Sequence, residues 1–324
     1  MNLLLRIQKL PELFQKNMVI SIPVAMFLGF LLGLFFEVSW LQVLIVPFTF
    51  LMVYPPLVGI NLKQVLSGGD TRLQIATQAI NFIVIPFIAW ILGFIFFHDF
   101  PMLRLGLFLT ALLPTSGMTL NWTNFTKGNL PSAVKMTVVG LVAGSLLTPF
   151  YIKAVFGQTI PIPLTKMLAQ ITVVVFIPLL LGQVTQSILV KKFGKQRFAE
   201  KIKPAIAPWG IIGVLGVQFA AMAIKAKTLL VDPFLLVRLG LPIFIFFIVN
   251  FVLSTLLARL FKNRADGIAF IYGTALRNLS IALAIAMTVF GKKGGDIALL
   301  VSFGFIFQAQ MAAWHARTIN KLLP

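Results

Sequence analysis

The sequence predicts an all-α polytopic membrane protein of ten transmembrane helices, on three observations. First, 59% of its 324 residues are hydrophobic and only 11% are charged, where a soluble domain carries about 25% charged residues. Second, the apolar residues run in long blocks rather than periodic faces, with a mean hydropathy of +0.99, so the core meets lipid rather than water. Third, ten of these blocks can cross a bilayer, and the connections between them are short and rich in Gly, Pro, Asn, Lys and Arg.

In chain order, Met1–Asn17 reads as a short basic amphipathic stretch (Arg6, Lys9, Lys16) rather than a cleavable signal. The first two spans are Val19–Phe36 and Leu41–Ile60. The third, Ile75–Phe97, carries a lone amide, Asn81, five residues before Pro86. The fourth, Leu103–Asn121, is interrupted in mid-segment by Pro114-Thr115-Ser116-Gly117 and continues through Thr119, Asn121, Trp122 and Lys127-Gly128-Asn129. The fifth, Ala133–Val155, has Lys135 and Thr137 near its start. The sixth, Leu168–Val190, leads into the longest connection, Lys191–Lys203, with six Lys and Arg. Spans seven and eight are Pro208–Ile224 and Pro233–Leu260. The ninth, Gly267–Phe290, is interrupted at Gly273-Thr274 and Leu276-Arg277-Asn278-Leu279-Ser280, and the tenth is Ile297–Thr318. With the termini placed in the cytoplasm, 18 of the 27 basic residues fall on that side and eight on the other, with Arg277 in mid-span. That asymmetry predicts cytoplasmic termini in the cell membrane.

Several functions are excluded at this level. Without Cys there is no disulfide, thiolate metal site or thiol nucleophile. No P-loop pattern encodes ATP drive, and no paired carboxylates or Ser/His/Asp set in the spans supports an enzyme. The net charge of +19 belongs to span ends that face anionic lipid, not to nucleic acid, because no basic run is interleaved with aromatics. Nothing implies a cofactor or resident metal. The expected partners are the lipid bilayer and a small-molecule or anionic substrate.

Two features point to a transport site. The interrupted spans are fourth and ninth of ten, equivalent places in two five-span halves, 1–160 and 161–324. Breaks at matching places in two halves are the best sequence pointer to the binding site of a secondary transporter. Arg277 is a charge at bilayer depth, which costs about 2.5–3.5 kcal/mol on insertion scales, and no span holds an Asp or Glu to neutralise it. It is either a functional cation or an Arg that hydrogen-bonds carbonyls and only holds helices together. The residues expected at the site are Arg277, Asn278, Ser280, Thr115, Ser116, Thr119, Asn121, Trp122, Asn81, Lys135 and Thr137, with Pro114, Gly117 and Gly273 breaking the helices. An interhelical hydrogen bond is the plainer role for Asn81, and snorkelling to the interface the plainer one for Lys135.

These residues give the chain a resemblance to the bile acid/sodium symporter superfamily, and within it to the arsenite-efflux permease branch. Tyr54-Pro55-Pro56-Leu57 resembles that branch's Tyr-Pro-Pro-Leu signature. Asn81 to Pro86, the spacing of Pro114, Met118, Trp122 and Lys127-Gly128, Leu147-Thr148-Pro149, and Asn278 followed by Ile281-Ala282-Leu283-Ala284 are similar to further family stretches. The resemblance implies two inverted five-helix repeats, panel and core domains, crossing broken helices four and nine, and alternating access at their crossing.

The departures are as informative. The permeases carry a Cys where Thr115 stands and a Glu where Ser280 stands, and soft thiolate is the natural ligand of a thiophilic metalloid. Sodium-coupled members carry a Glu and a Gln at what are here Gly273 and Arg277. A site with Arg277 and no carboxylate needs an anion, which the planar guanidinium suits. The expectation is an anion carrier independent of sodium. The alternatives are an arsenite or antimonite permease without the thiol, a sodium-coupled organic-anion symporter, and a non-transporting scaffold.

Overall fold

The computed structural model describes residues 10–60, 70–232, 234–290 and 294–323. Five of the basic residues counted above for orientation, Arg6, Lys9, Lys63, Lys292 and Lys293, lie outside them, as does Pro233, the first residue of the eighth span. Twelve helical elements carry the fold: α1 Met18–Phe35, α2 Leu41–Val58, α3 Thr71–Phe96, α4 Pro101–Leu112, α5 Gly117–Phe125 and α6 Leu130–Phe156. They continue with α7 Leu164–Phe193, α8 Gly210–Val231, α9 Phe234–Ala258, α10 Arg264–Ala275, α11 Leu279–Val289 and α12 Gly294–Leu322. Among the described residues seven helices are long and apolar enough to cross a membrane, and an eighth counts if α1 is joined to the bent Leu10–Lys16 segment. The chain is an all-helical multi-pass membrane protein.

One expectation needs correction. Lys191–Lys203, read as a connecting loop, is helical except at Gly194, and the helix entering α8 begins at Lys195. Gly194 has φ +83°, a left-handed turn that a glycine adopts freely, so a single residue is enough to end one helix and start the next.

Prolines shape the spans that hold the site. Pro86 has no N–H for the carbonyl of Phe82, four residues back. The hydroxyl of Tyr151 on α6 donates to that carbonyl instead, at 2.6 Å. The turn before Pro86, Ile80–Val84, widens into a π segment that buries Asn81, and α7 repeats the device with a π segment at Thr172–Phe176 before Pro178. Hydroxyls in the spans are mostly satisfied within their own helix. Thr77, Thr110, Thr137, Thr148 and Thr255 each donate to the carbonyl four residues back.

Close packing of α8 against α1 and α2 rests on missing side chains. A Cβ on Gly29 would sit 2.2 Å from the carbonyl oxygen of Phe219, and one on Gly33 would sit 2.0 Å from that of Ala223. This is the small-xxx-small approach by which membrane helices associate. On the other side of α8, a Cβ on Gly213 would lie 2.2 Å from the backbone nitrogen of Met52. The Tyr-Pro-Pro stretch finds its use here: Gly210 lies against Pro56, and Tyr54 hydrogen-bonds Thr185 on α7 at 2.8 Å.

Gly29→Ala and Gly33→Ala should each cost about 1–3 kcal/mol through backbone displacement. Gly240→Ala, whose nearest new neighbour is Phe307 at 3.7 Å, should be near neutral. Melting of the detergent-purified variants checks this, and equal midpoints for Gly33→Ala and Gly240→Ala would contradict the packing argument.

Candidate functional site

The two broken helices meet at their breaks. α4 ends at Leu112 and α5 starts at Gly117; α10 ends at Ala275 and α11 starts at Leu279. The unwound segments pair antiparallel, Pro114 opposite Arg277. The Thr115 N–H donates to Leu276 O at 2.9 Å and the Asn278 N–H to Leu113 O at 2.7 Å. Each break thereby supplies the partners the other lacks, as an apolar surrounding requires. Thr115 is left-handed, φ 61°, a strained state for a β-branched residue. Its hydroxyl stays local, donating to Pro114 O at 2.6 Å with Thr137 O at 3.4 Å. Gly140 and Gly144 on α6 give this break its room, since a Cβ on Gly144 would lie 2.9 Å from Pro114 Cδ.

The restarting helices are capped by their own side chains. Ser116 Oγ accepts from the Met118 N–H, and Thr119 Oγ1 accepts from the Ser116 N–H, each at 3.2 Å, which is a capping box. Thr119 also donates to Tyr272 O at 3.2 Å, fastening α5 to α10. Asn278 Oδ1 accepts from the Ile281 N–H at 3.2 Å and caps α11.

Arg277 is 0% exposed. Its guanidinium donates to Ala111 O at 3.1 Å, to Asn81 Oδ1 at 2.5 Å and to Thr274 O. Ala111 and Thr274 lie in the last turns of α4 and α10, where helix carbonyls have no partner of their own. Asn81 returns its amide N–H to Gly273 O at 3.0 Å, so the π segment of α3 clasps the end of α10 and the guanidinium together. Gln308 on α12 brackets the Arg277 peptide, accepting from its N–H at 2.7 Å and donating to its carbonyl at 3.2 Å. Among the described residues no carboxylate pairs with this cation. The charge rests on neutral oxygens and on two helix C-termini. Each C-terminus carries roughly −0.5 of an elementary charge, so the pair roughly balances one guanidinium.

Beside the breaks lies a cavity of about 410 Å³. The starts of α5 and α11 line it through Ser116, Gly117, Asn278 and Ser280, together with Asn121, Asn124, Thr137 and Gln308. Its apolar wall includes Met18, Met52, Val53, Ile211, Val214 and Phe305, and among the described residues no Asp or Glu lines it. A second cavity of about 460 Å³ adjoins it, sharing Gly59, Ile60, Leu120, Val134, Thr137 and Lys203 with the first. Helix starts and the absence of acid make the inner cavity favour negative charge.

The expected residues therefore divide. Ser116, Gly117, Asn121, Thr137, Asn278 and Ser280 line the cavity. Arg277 touches its rim, but the three acceptors of its guanidinium, Ala111, Asn81 and Thr274, are not in the lining, so the charge is turned away from the open space. Thr115, Pro114, Thr119, Asn81 and Gly273 build the crossing rather than the cavity wall, and a Cβ on Gly273 would meet Met136 Sδ at 2.6 Å. Trp122 stacks edge-on with Phe125, and Lys135 is partly exposed on α6; neither is in the lining. Sequence reasoning underweighted Gln308, whose only signal was an amide in an apolar span, and Lys203, which looked like an orientation charge. Asn81→Ala should cost about 1.5–3 kcal/mol, the worth of a hydrogen bond to a charged group, seen as a lowered melting midpoint; an unchanged midpoint would show that the guanidinium does not depend on Asn81.

Comparison with known proteins gives the family. The profile of the Sodium Bile acid symporter family matches residues 46–232. The arsenical-resistance protein Acr3 of Corynebacterium glutamicum is 26% identical over 255 residues, covering 74% of this chain and 68% of its own length. An uncharacterized transporter of Synechocystis sp. is 22% identical over 319 residues, covering 88% of this chain and 82% of its own. With more than half of its length matched by the family profile, this chain belongs to the sodium bile acid symporter family, on the side that includes the arsenical-resistance proteins, and is a membrane transporter.

Proposed function

We propose that this chain is a secondary carrier of a small anion or polar solute that works by alternating access without sodium, with the Arg277 guanidinium standing in place of the coupling cation. The observation that carries this reading is the cradle of Ala111 O, Thr274 O and Asn81 Oδ1 around the guanidinium. Carbonyls at half-helix C-termini are the groups with which secondary transporters hold sodium. Here a covalently attached cation fills that place, and a second cation in contact with it would meet like-charge repulsion. The acid-free cavity at the starts of α5 and α11 is the matching site for an anion.

The architecture in this proposal is ten spans arranged as two inverted five-helix repeats, 1–160 and 161–324. α4–α5 and α10–α11 are the crossing broken spans of a core domain, working against a panel that includes α1, α2 and α8. Cytoplasmic termini in the cell membrane follow from the distribution of Lys and Arg. In that orientation the paired cavities open inward, beside the Lys195–Lys203 segment.

A second reading, arsenite or antimonite efflux, is favoured by the 26% identity with an arsenical-resistance protein. As(OH)3 is neutral, and the hydroxyls and amides of the cavity could bind it. Against it stands the absence of any Cys, and the hydroxyl that replaces the branch's thiol, on Thr115, is spent on Pro114 O.

Uptake of labelled oxyanions and carboxylates into proteoliposomes, with and without sodium and pH gradients, tests the proposal. Uptake should be equal in sodium-free and sodium buffers; strict dependence on sodium would end it. Arg277→Ala empties the cradle of its cation. That variant should lose at least about tenfold of the sodium-free rate and regain some of it when sodium is added. Arsenite resistance restored to a sensitive deletion strain, without anion uptake in vesicles, would favour the second reading.

A further inference from the structure

We infer that Lys203 is the substrate's direct counter-charge and sets the preference for anions at the cavity mouth. The inference rests on the anion-carrier reading above and deepens it. Arg277 cannot serve in this arrangement, because its guanidinium is enclosed by Asn81, Ala111 and Thr274 and no portion of it is exposed. Some other charge has to meet the anion where the chain is open to it. Among the described residues Arg277 and Lys203 are the two charged ones that line the cavity beside the breaks, and Lys203 lines the adjoining one as well. It therefore stands where the two cavities adjoin.

The side chain is directed there by its footing. A Cβ on Gly59, at the end of α2, would lie 2.9 Å from Lys203 Cε, 3.1 Å from Cγ and 3.3 Å from Cδ. The aliphatic stem thus runs across the bare backbone of Gly59, a residue common to both cavities, and Lys203 itself lines both. This is the amphipathic use of lysine, with stem on apolar surface and head in water. Among the described residues the ammonium has no hydrogen bond or ion pair, and no Asp or Glu lines either cavity. Lys195, on the same helical segment, lines the adjoining cavity alone. Lys195, Lys203 and the helix starts at Ser116 and Asn278 thus follow one another along the two cavities. Such a funnel raises the local concentration of an anion and its rate of entry, and salt weakens the effect. The apolar wall beside it suits a monocarboxylate with a small apolar body, its carboxylate on Lys203.

The test uses full-length protein in nanodiscs and three monocarboxylates, acetate, butyrate and benzoate, each beside its uncharged amide. Wild type should bind at least one carboxylate more tightly than its amide. Lys203→Gln should weaken that carboxylate about tenfold, as loss of a charge-assisted contact does, and leave the amide unchanged. Lys203→Arg should restore binding, and raised salt should weaken wild type more than Lys203→Gln. Gly59→Val, which pushes the stem aside without touching its charge, should reproduce the loss. Carboxylate binding that is the same in wild type and Lys203→Gln would overturn the inference and leave the carrier reading standing. If wild type binds none of the carboxylates better than its amide, this inference falls, while the carrier reading is decided separately by the sodium dependence of uptake.

Discussion

The constraint on which this structure depends is that backbone polar groups inside a membrane need partners from the protein. Two spans are unwound at their middle, which strips several N–H and carbonyl groups of helical partners. The protein meets this by laying one break against the other, so that Thr115 bonds Leu276 and Asn278 bonds Leu113. Neither break is stable alone in hydrocarbon, so the crossing fixes the positions of α4, α5, α10 and α11 relative to one another. The rest of the site follows: glycines on α6 that admit the Pro114 turn, the caps on α5 and α11, and the amide of Gln308 that brackets the Arg277 peptide.

Charge is sorted by the same geometry. Four half-helix ends converge, and their dipoles divide into two pairs. The C-termini of α4 and α10 present carbonyls to the guanidinium, and the N-terminal residues of α5 and α11 line the cavity. At roughly half an elementary charge per helix end, the guanidinium is balanced where it sits and the cavity is left positive. This reconciles two readings of Arg277 that looked like rivals in the sequence. The residue does hold helices together through carbonyls, and on the proposed reading the same contacts put it in the place of a mobile cation at the crossing. Its effect on a bound solute then travels through the field and the fixed helix starts rather than by contact.

Much of this was legible in the sequence, for identifiable reasons. Composition and block hydropathy give a multi-pass helical protein because a bilayer tolerates little else. Pro114 and the Gly273–Ser280 run marked the breaks because proline, glycine and a charge are each costly in mid-span. What could not be read was direction. Sequence spacing does not say that the Arg277 side chain turns toward α3, because the turn depends on a π segment before Pro86 that brings Asn81 inward. Nor does it distinguish Thr119, which ties α5 to Tyr272 O, from Asn121 two residues later, which faces the cavity. Lys203 shows the same limit. As one of six basic residues in a connection it carried only topological meaning, and its place depends on Gly59, distant in sequence.

The two substitutions that set the chain apart from the arsenite branch fall on different sides of this crossing, and that separates their consequences. Ser280 lies in the cavity wall on the first turn of α11, where a carboxylate would cancel the positive potential of two helix starts and exclude an anion. A hydroxyl there leaves that potential intact and adds a neutral hydrogen-bonding group. Thr115 lies within the crossing itself, in a left-handed turn, with its hydroxyl held to the carbonyl beside it. A group so engaged is not offered to the cavity, so it does not replace a thiolate as a ligand. The first change permits negative charge in the cavity and the second removes a soft donor. Together with a cation already built into the cradle, they are the grounds on which the proposed function sets an oxygen-bearing anion before a thiophilic metalloid or sodium.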